Sequence, residues 1–116
     1  MALDETSHRL FIGCRHPSKL LVLDTETGKT ISSLDIDNDT DDIFYNTSAK
    51  EIYVSCGNGY VDVFHQIDAN HFTSNGKIKT NFGARTSLFI PELHQLIIAA
   101  PSHIGSIAQL TIYKTK

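Results

Sequence analysis

The stretches Leu10-Phe11-Ile12-Gly13-Cys14, Ile52-Tyr53-Val54-Ser55-Cys56 and Leu96-Ile97-Ile98-Ala99-Ala100 read as three copies of one β-strand, and their first residues stand 42 and 44 positions apart. Every position in each copy is apolar or small. A strand covered on both faces reads this way, because neither face meets water. Gly13, Ser55 and Ala99 hold the same place in the three copies and are all small, which suits a point where neighbouring sheets approach closely.

The repeat extends in both directions. Met1-Ala2-Leu3-Asp4, Ile43-Phe44-Tyr45-Asn46 and Ser87-Leu88-Phe89-Ile90 lie in register ahead of the repeated strand, each followed by a polar turn. Behind it come Leu20-Leu21-Val22-Leu23, Val61-Asp62-Val63-Phe64 and Leu110-Thr111-Ile112-Tyr113. Outer strands follow at Lys29 to Ile36 and Gly76 to Thr80, and the chain stops before a third. β-Branched and aromatic residues fill these runs, and Gly, Asn, Asp and Pro separate them, as strands require. No stretch has the periodicity of an amphipathic helix. A strand-bearing period of about 40 to 50 residues marks a β-propeller blade. The expected fold is therefore all-β, with about three four-stranded antiparallel blades, the last incomplete, at residues 1-38, 39-82 and 83-116 of one partial propeller domain spanning 1-116.

The turns fit this scheme. Gly57-Asn58-Gly59 separates two strands, and Asn-Gly predicts a type I′ hairpin, in which both central residues take positive φ. In the first repeat Asp24 to Lys29 takes that part, with Gly28 supplying a permissive backbone. Neither stretch has the glycine spacing or the following helix of a phosphate-binding loop.

Taken together, RLFIGC at Arg9 to Cys14, KLLVLDTETGKTISSLDI at Lys19 to Ile36 and EIYVSCGNGYVDVF at Glu51 to Phe64 resemble the YVTN-type β-propeller repeat. In that repeat a Tyr-Val strand leads to a hairpin and then to a D-x-x-T-G-K turn. Tyr53-Val54-Ser55-Cys56 stands where the motif name is read, and its last two residues depart from Thr-Asn. The resemblance spans nearly the whole chain and implies rings of about seven or eight blades, often exported, of which this chain looks like a C-terminal piece. It implies no single activity, since relatives include scaffolds, ligand-binding proteins, lactonase-like enzymes and cofactor-bearing reductase domains.

Composition sets further bounds. With 116 residues, 41% hydrophobic and 20% charged, the chain is an ordinary globular segment. A net charge of −3, and basic residues that are scattered instead of striped, speak against nucleic acid as a partner. No apolar run approaches the length of a membrane helix. Met1-Ala2-Leu3-Asp4-Glu5 does not resemble a signal peptide, and the compartment stays open.

The residues that carry chemistry elsewhere are dispersed here. Cys14 and Cys56 occupy equivalent places on successive repeats, too far apart to bridge, and are expected to be free structural thiols. Asp35, Asp37 and Asp39 begin like a calcium loop, but Thr40 and Asn46 stand where its Gly and Glu belong, so no metal is expected. His8 and His94 share a repeat position, and no spacing joins the six histidines into a zinc site.

One constellation remains. By the repeat register Asp41 aligns with Arg85 and Asp42 with Thr86, each at the start of an innermost strand, where propellers commonly place their sites. Asp41, Asp42, Arg85 and Thr86 are thus the candidate ligand-binding residues, with Arg85 and Thr86 holding a small polar or anionic ligand and the two carboxylates orienting the Arg; the competing reading is an ion pair between blades. No catalytic residue and no cofactor is expected. The function expected is a non-enzymatic propeller module for ligand or protein binding or scaffolding; a fragment of a lactonase-like hydrolase or cofactor-bearing reductase propeller is the alternative. Three blades cannot close a ring, so the chain should self-associate or meet missing blades.

Overall fold

A computed structural model describes every residue from Met1 to Lys116 and contains three antiparallel sheets of four, four and three strands, each a meander in chain order. The first holds β1 (Ala2–Asp4), β2 (Arg9–Arg15), β3 (Ser18–Asp24) and β4 (Thr30–Asp35). The second holds β5 (Thr40–Asn46), β6 (Glu51–Cys56), β7 (Tyr60–Asp68) and β8 (His71–Lys79). The third holds β9 (Thr86–Ile90), β10 (Gln95–Ala100) and β11 (Gln109–Lys114). A single 3-10 turn at Pro91–Leu93 is the one helical element, so no helix is long and apolar enough to cross a membrane.

The three sheets share one register. Leu3 pairs with Leu10, Tyr45 with Ile52 and Phe89 with Leu96. His8, Lys50 and His94, one per sheet, all adopt left-handed backbone at φ 56°, 54° and 52°. Their carbonyls accept hydrogen bonds from the Thr25, Gln66 and Thr115 N–H groups at 3.0, 2.8 and 2.8 Å, so each turn is tied to the end of its own third strand. A strained conformation persists where such surroundings fix it.

Two cores lie between the sheets. Phe11, Leu20 and Val22 of the first sheet pack on Ile43, Ile52, Val54, Cys56 and Phe64 of the second. The opposite face of the second sheet, with Tyr53, Val61 and Val63, packs on Leu96, Ile98 and Ala100 of the third, with Ala84 beside them. Equivalent positions build both cores: Phe11 meets Tyr45 with ring centroids 5.4 Å apart, and Tyr53 meets Phe89 at 5.4 Å. Full burial of each large apolar side chain contributes about 1.5–3 kcal/mol. The second sheet is consequently covered on both faces, and all of β6 is buried.

Two local expectations need correction. Gly57-Asn58-Gly59 is not a type I′ turn: Cys56 pairs with Tyr60, leaving a three-residue connection in which Gly59 alone has positive φ, at 103°. The outer strand expected at Gly76 to Thr80 is longer, running His71–Lys79. Its polar first half reads as loop, yet it pairs with β7 along the exposed edge. There a bulge opposite Val63 is accommodated by Gly76 at φ 89°, while Phe72 and Ile78 turn inward to the two cores.

Candidate functional site

The segments joining one sheet to the next carry three charged side chains, Asp37, Asp39 and Arg85, and all three form ion pairs. Asp39, with φ 63°, lies just before β5; its Oδ2 accepts a hydrogen bond from Arg85 Nε at 2.8 Å and lies 2.7 Å from Nη2 of the same guanidinium. Asp tolerates this backbone better than most residues because its short polar side chain bonds locally. Arg15, at the end of β2, donates from Nε to the Thr40 carbonyl at 2.8 Å and holds Nη2 at 3.7 Å from Asp39 and 3.8 Å from Asp41. Gly57 closes the cluster from below, its N–H donating to the Asp39 carbonyl at 2.8 Å.

Of the four residues singled out in the sequence, Asp41 lies exposed near Arg15, Asp42 accepts the Ser87 N–H at 2.8 Å, and Thr86 is exposed at the start of β9. The aligned pairing of Asp41 with Arg85 is therefore corrected: Asp39 is the partner of Arg85, and neither Asp41 nor Asp42 orients it. The alignment itself is displaced by a bulge. Thr40 pairs with Cys56 and Ile43 with Val54, so Asp41 and Asp42 together oppose Ser55, whereas β9 pairs one to one with β10. One extra residue in β5 shifts every position before it by one, which brings Thr40 into register with Arg85; the contact with Asp39 lies one residue further and is made by its side chain, not set by the register. Beside the bulge, the hydroxyls of Ser55 and Ser87 meet at 2.6 Å.

A second polar cluster went unnoticed in the sequence. Asp62, on β7 and 8% exposed, accepts the Asp37 backbone N–H at 2.7 Å. The Asp37 carboxylate in turn receives Asn58 Nδ2 at 3.0 Å and Lys77 Nζ at 2.9 Å. Burial pushes the Asp62 carboxyl above the usual range, and the nearby Asp37 charge adds to this. Burial also acts against ionisation of Asp37, but the bonds from Asn58 and Lys77 outweigh it and hold that carboxyl below the usual range. Cys56, next to Asp62, is pushed up to about 12 by burial and then by the two carboxylates, so its thiol stays protonated. No sequence signal beyond a lone Asp in an apolar strand marks this cluster.

The acidic run from Asp35 to Asp42 is thus dispersed over separate partners. Asp35 pairs with Lys19, Asp37 with Lys77 and Asp39 with Arg85. No group of three or more His, Cys, Asp or Glu side chains converges on one point. Cys14 and Cys56 are both free, the first half-buried and the second buried.

No protein-family profile matches this chain, and no curated protein matches it in sequence. Among solved structures it is similar to a chain of Kuenenia stuttgartiensis Hydrazine Synthase, with a TM-score of 0.80 and 18% identity over 97% of this chain. It spans 32% of the length of that chain. At this identity the likeness concerns the fold alone.

Proposed function

We propose that this chain is a run of β-propeller blades of the YVTN type, working as a non-enzymatic binding or scaffolding module. What supports this reading is the stack itself. The same repeat positions build both inter-sheet cores, so each sheet behaves as a unit that completes its burial only against the next. Such a stack offers surfaces for partners at its ends and along the segments between sheets. Hydrazine Synthase names an enzyme, but fold likeness carries no reaction with it.

In this reading the Arg85 cluster is a clasp between sheets. Two of the guanidinium nitrogens face Asp39, and Arg15 and Asp41 add one charge of each sign beside it, which leaves little uncompensated positive charge for an anionic ligand. The test is a thermal-shift screen of small carboxylates, phosphates and lactones against the parent and Arg85→Ala, with lactone hydrolysis followed alongside. The expected outcome is no turnover and equal responses of the two proteins. A ligand that stabilises the parent and not the variant would restore Arg85 as a binding residue, and turnover would overturn the non-enzymatic reading.

A further inference from the structure

One carboxylate inside the stack is buried without a counter-charge. Asp4, at the end of β1, is 4% exposed and reaches Gln66 of the second sheet, which is 3% exposed. Asp4 Oδ1 accepts the Ser7 N–H at 3.3 Å, Oδ2 accepts Gln66 Nε2 at 3.1 Å, and Tyr45 donates its hydroxyl to Gln66 Oε1. Burial works against the charge, but the bonds from Gln66 and Ser7 outweigh it and hold the carboxyl below the usual range, so Asp4 is ionised at neutral pH. Buried charges are as a rule paired. Asp4 enters none of the ion pairs of the molecule. Its cross-strand neighbour Arg9 turns elsewhere, donating from Nε to the Ala69 carbonyl at 2.7 Å and from Nη2 to Asn70 Oδ1 at 2.7 Å, with Asp24 as its ion partner at 3.6 Å.

The turn after β1 does not need that charge. Asn46 holds the same repeat position in the second sheet, and its Oδ1 accepts the Ala49 N–H at 3.3 Å as Asp4 accepts that of Ser7. Between the second and third sheets the neutral Asn46 stands with Phe89 and Thr115, the counterparts of Tyr45 and Gln66. Between the first and second sheets, by contrast, the carboxylate, the phenol and the carboxamide border a cavity of about 150 Å³, lined also by Thr6, Ser7, Thr47, Lys50 and Asp68. At about 30 Å³ per water, that is room for roughly five waters or one organic molecule of a few heavy atoms. Tyr45 has spent its proton on Gln66, so its oxygen is left to accept. The cavity thus offers acceptors and a negative charge, and Lys50, which lines it, is exposed and forms no ion pair.

We propose that this cavity binds a small primary amine as its ammonium, held by Asp4 and Tyr45. An ammonium brings one positive charge and several N–H donors, which matches the surplus of the site in both respects. A divalent metal ion takes six or more oxygen ligands, and no group of three or more His, Cys, Asp or Glu side chains converges here to begin such a set. The cavity is bounded by residues of the first and second sheets and their turns alone, at the end of β5 away from Arg85. It therefore goes beyond the reading of the chain as a binding module and needs only the packing of these two sheets.

Ethanolamine is the probe, titrated near neutral pH at constant ionic strength and followed by amide NMR. The parent should bind it saturably at millimolar concentration, the range open to so small a ligand, with shifts centred on the Ser7 N–H and the Gln66 carboxamide. Asp4→Asn keeps an oxygen for the turn, as Asn46 does, and should weaken binding about tenfold or more. Tyr45→Phe, which copies the third sheet at Phe89, should weaken it less. Circular dichroism checks that each variant is folded; where Asp4→Asn is not, an unchanged affinity in Tyr45→Phe is enough to sink the proposal. No saturable binding by the parent, or equal binding by the parent and Asp4→Asn, overturns it. Sodium or potassium chloride giving the same shifts as ethanolamine would identify an inorganic cation as the occupant. Binding seen in Lys50→Ala and not in the parent would identify the Lys50 ammonium itself, and either result overturns a site for a free amine.

Discussion

Gly57 shows how a single residue fixes the segment between two sheets. A Cβ built on it would fall 2.0 Å from Asp39 Oδ2 and 3.1 Å from Arg85 Nε, so any side chain must drive the carboxylate off its Arg. Its φ is not in the left-handed region, which leaves crowding and not backbone strain as the constraint. Gly57→Ala should therefore cost about 1–3 kcal/mol. Arg85→Ala, which removes a half-exposed pair, should cost only about 0–1 kcal/mol. Urea unfolding of Gly57→Ala, Asp39→Ala and the double variant separates the causes. With Asp39 gone the alanine has room, so the double variant should be more stable than the sum of single effects allows; strict additivity would remove Asp39 from the account.

At the scale of elements, β7 carries an acid where its counterparts carry Leu21 and Thr111. Asp62 is nearly buried there and holds the segment leading out of β4 through the Asp37 N–H. Its folded pKa lies above the ordinary 3.8, so its proton is bound more tightly in the folded chain. That contribution is complete below the unfolded pKa and is lost as pH rises through the folded value. Asp37 has the opposite sign: its depressed pKa stabilises above the ordinary value and is lost as pH falls through the folded one. Asp62→Asn keeps an oxygen for the Asp37 N–H and removes the buried charge. Its melting temperature should exceed that of the parent at about pH 7, and the gap should close as pH falls toward the ordinary carboxylate range. A gap that is constant with pH would show that Asp62 does not titrate in this window.

The same element shows what sequence reveals and what it hides. The middle and third strands were legible because their central residues are almost all apolar or small, and the equivalence of Phe11, Tyr53 and Ile97 follows from spacing alone. The first half of β8 was not legible, since an edge strand needs only backbone pairing and tolerates His71, Thr73 and Ser74. Nor was the Asp39 partnership: the extra residue at Asp41 and Asp42, visible only in the pairing of β5 with β6, brings Thr40 into register with Arg85, and Asp39 lies one residue further still. Of the four candidate site residues, Arg85 alone takes part in the Asp39 ion pair.

For the whole molecule, the decisive quantity is how closely successive sheets approach, and the small residues of the repeated strand measure it. A Cβ on Gly13 would meet Ile43 Cδ1 at 2.9 Å and both outer atoms of Thr40 at 3.1 Å. The Ile43 methyl can rotate away, whereas Thr40 is buried and β-branched, with few rotamers to yield into. Gly13→Val should then cost about 1–3 kcal/mol, despite the better strand propensity of valine. Ala99→Val enlarges the equivalent place on the open face of the third sheet. It should lie within about 0.5 kcal/mol of neutral. Urea unfolding of the two variants makes the comparison direct. Equal costs would mean that strand chemistry dictates the small residue, and with that the close approach of one sheet to the next would lose its claim to organise the repeat.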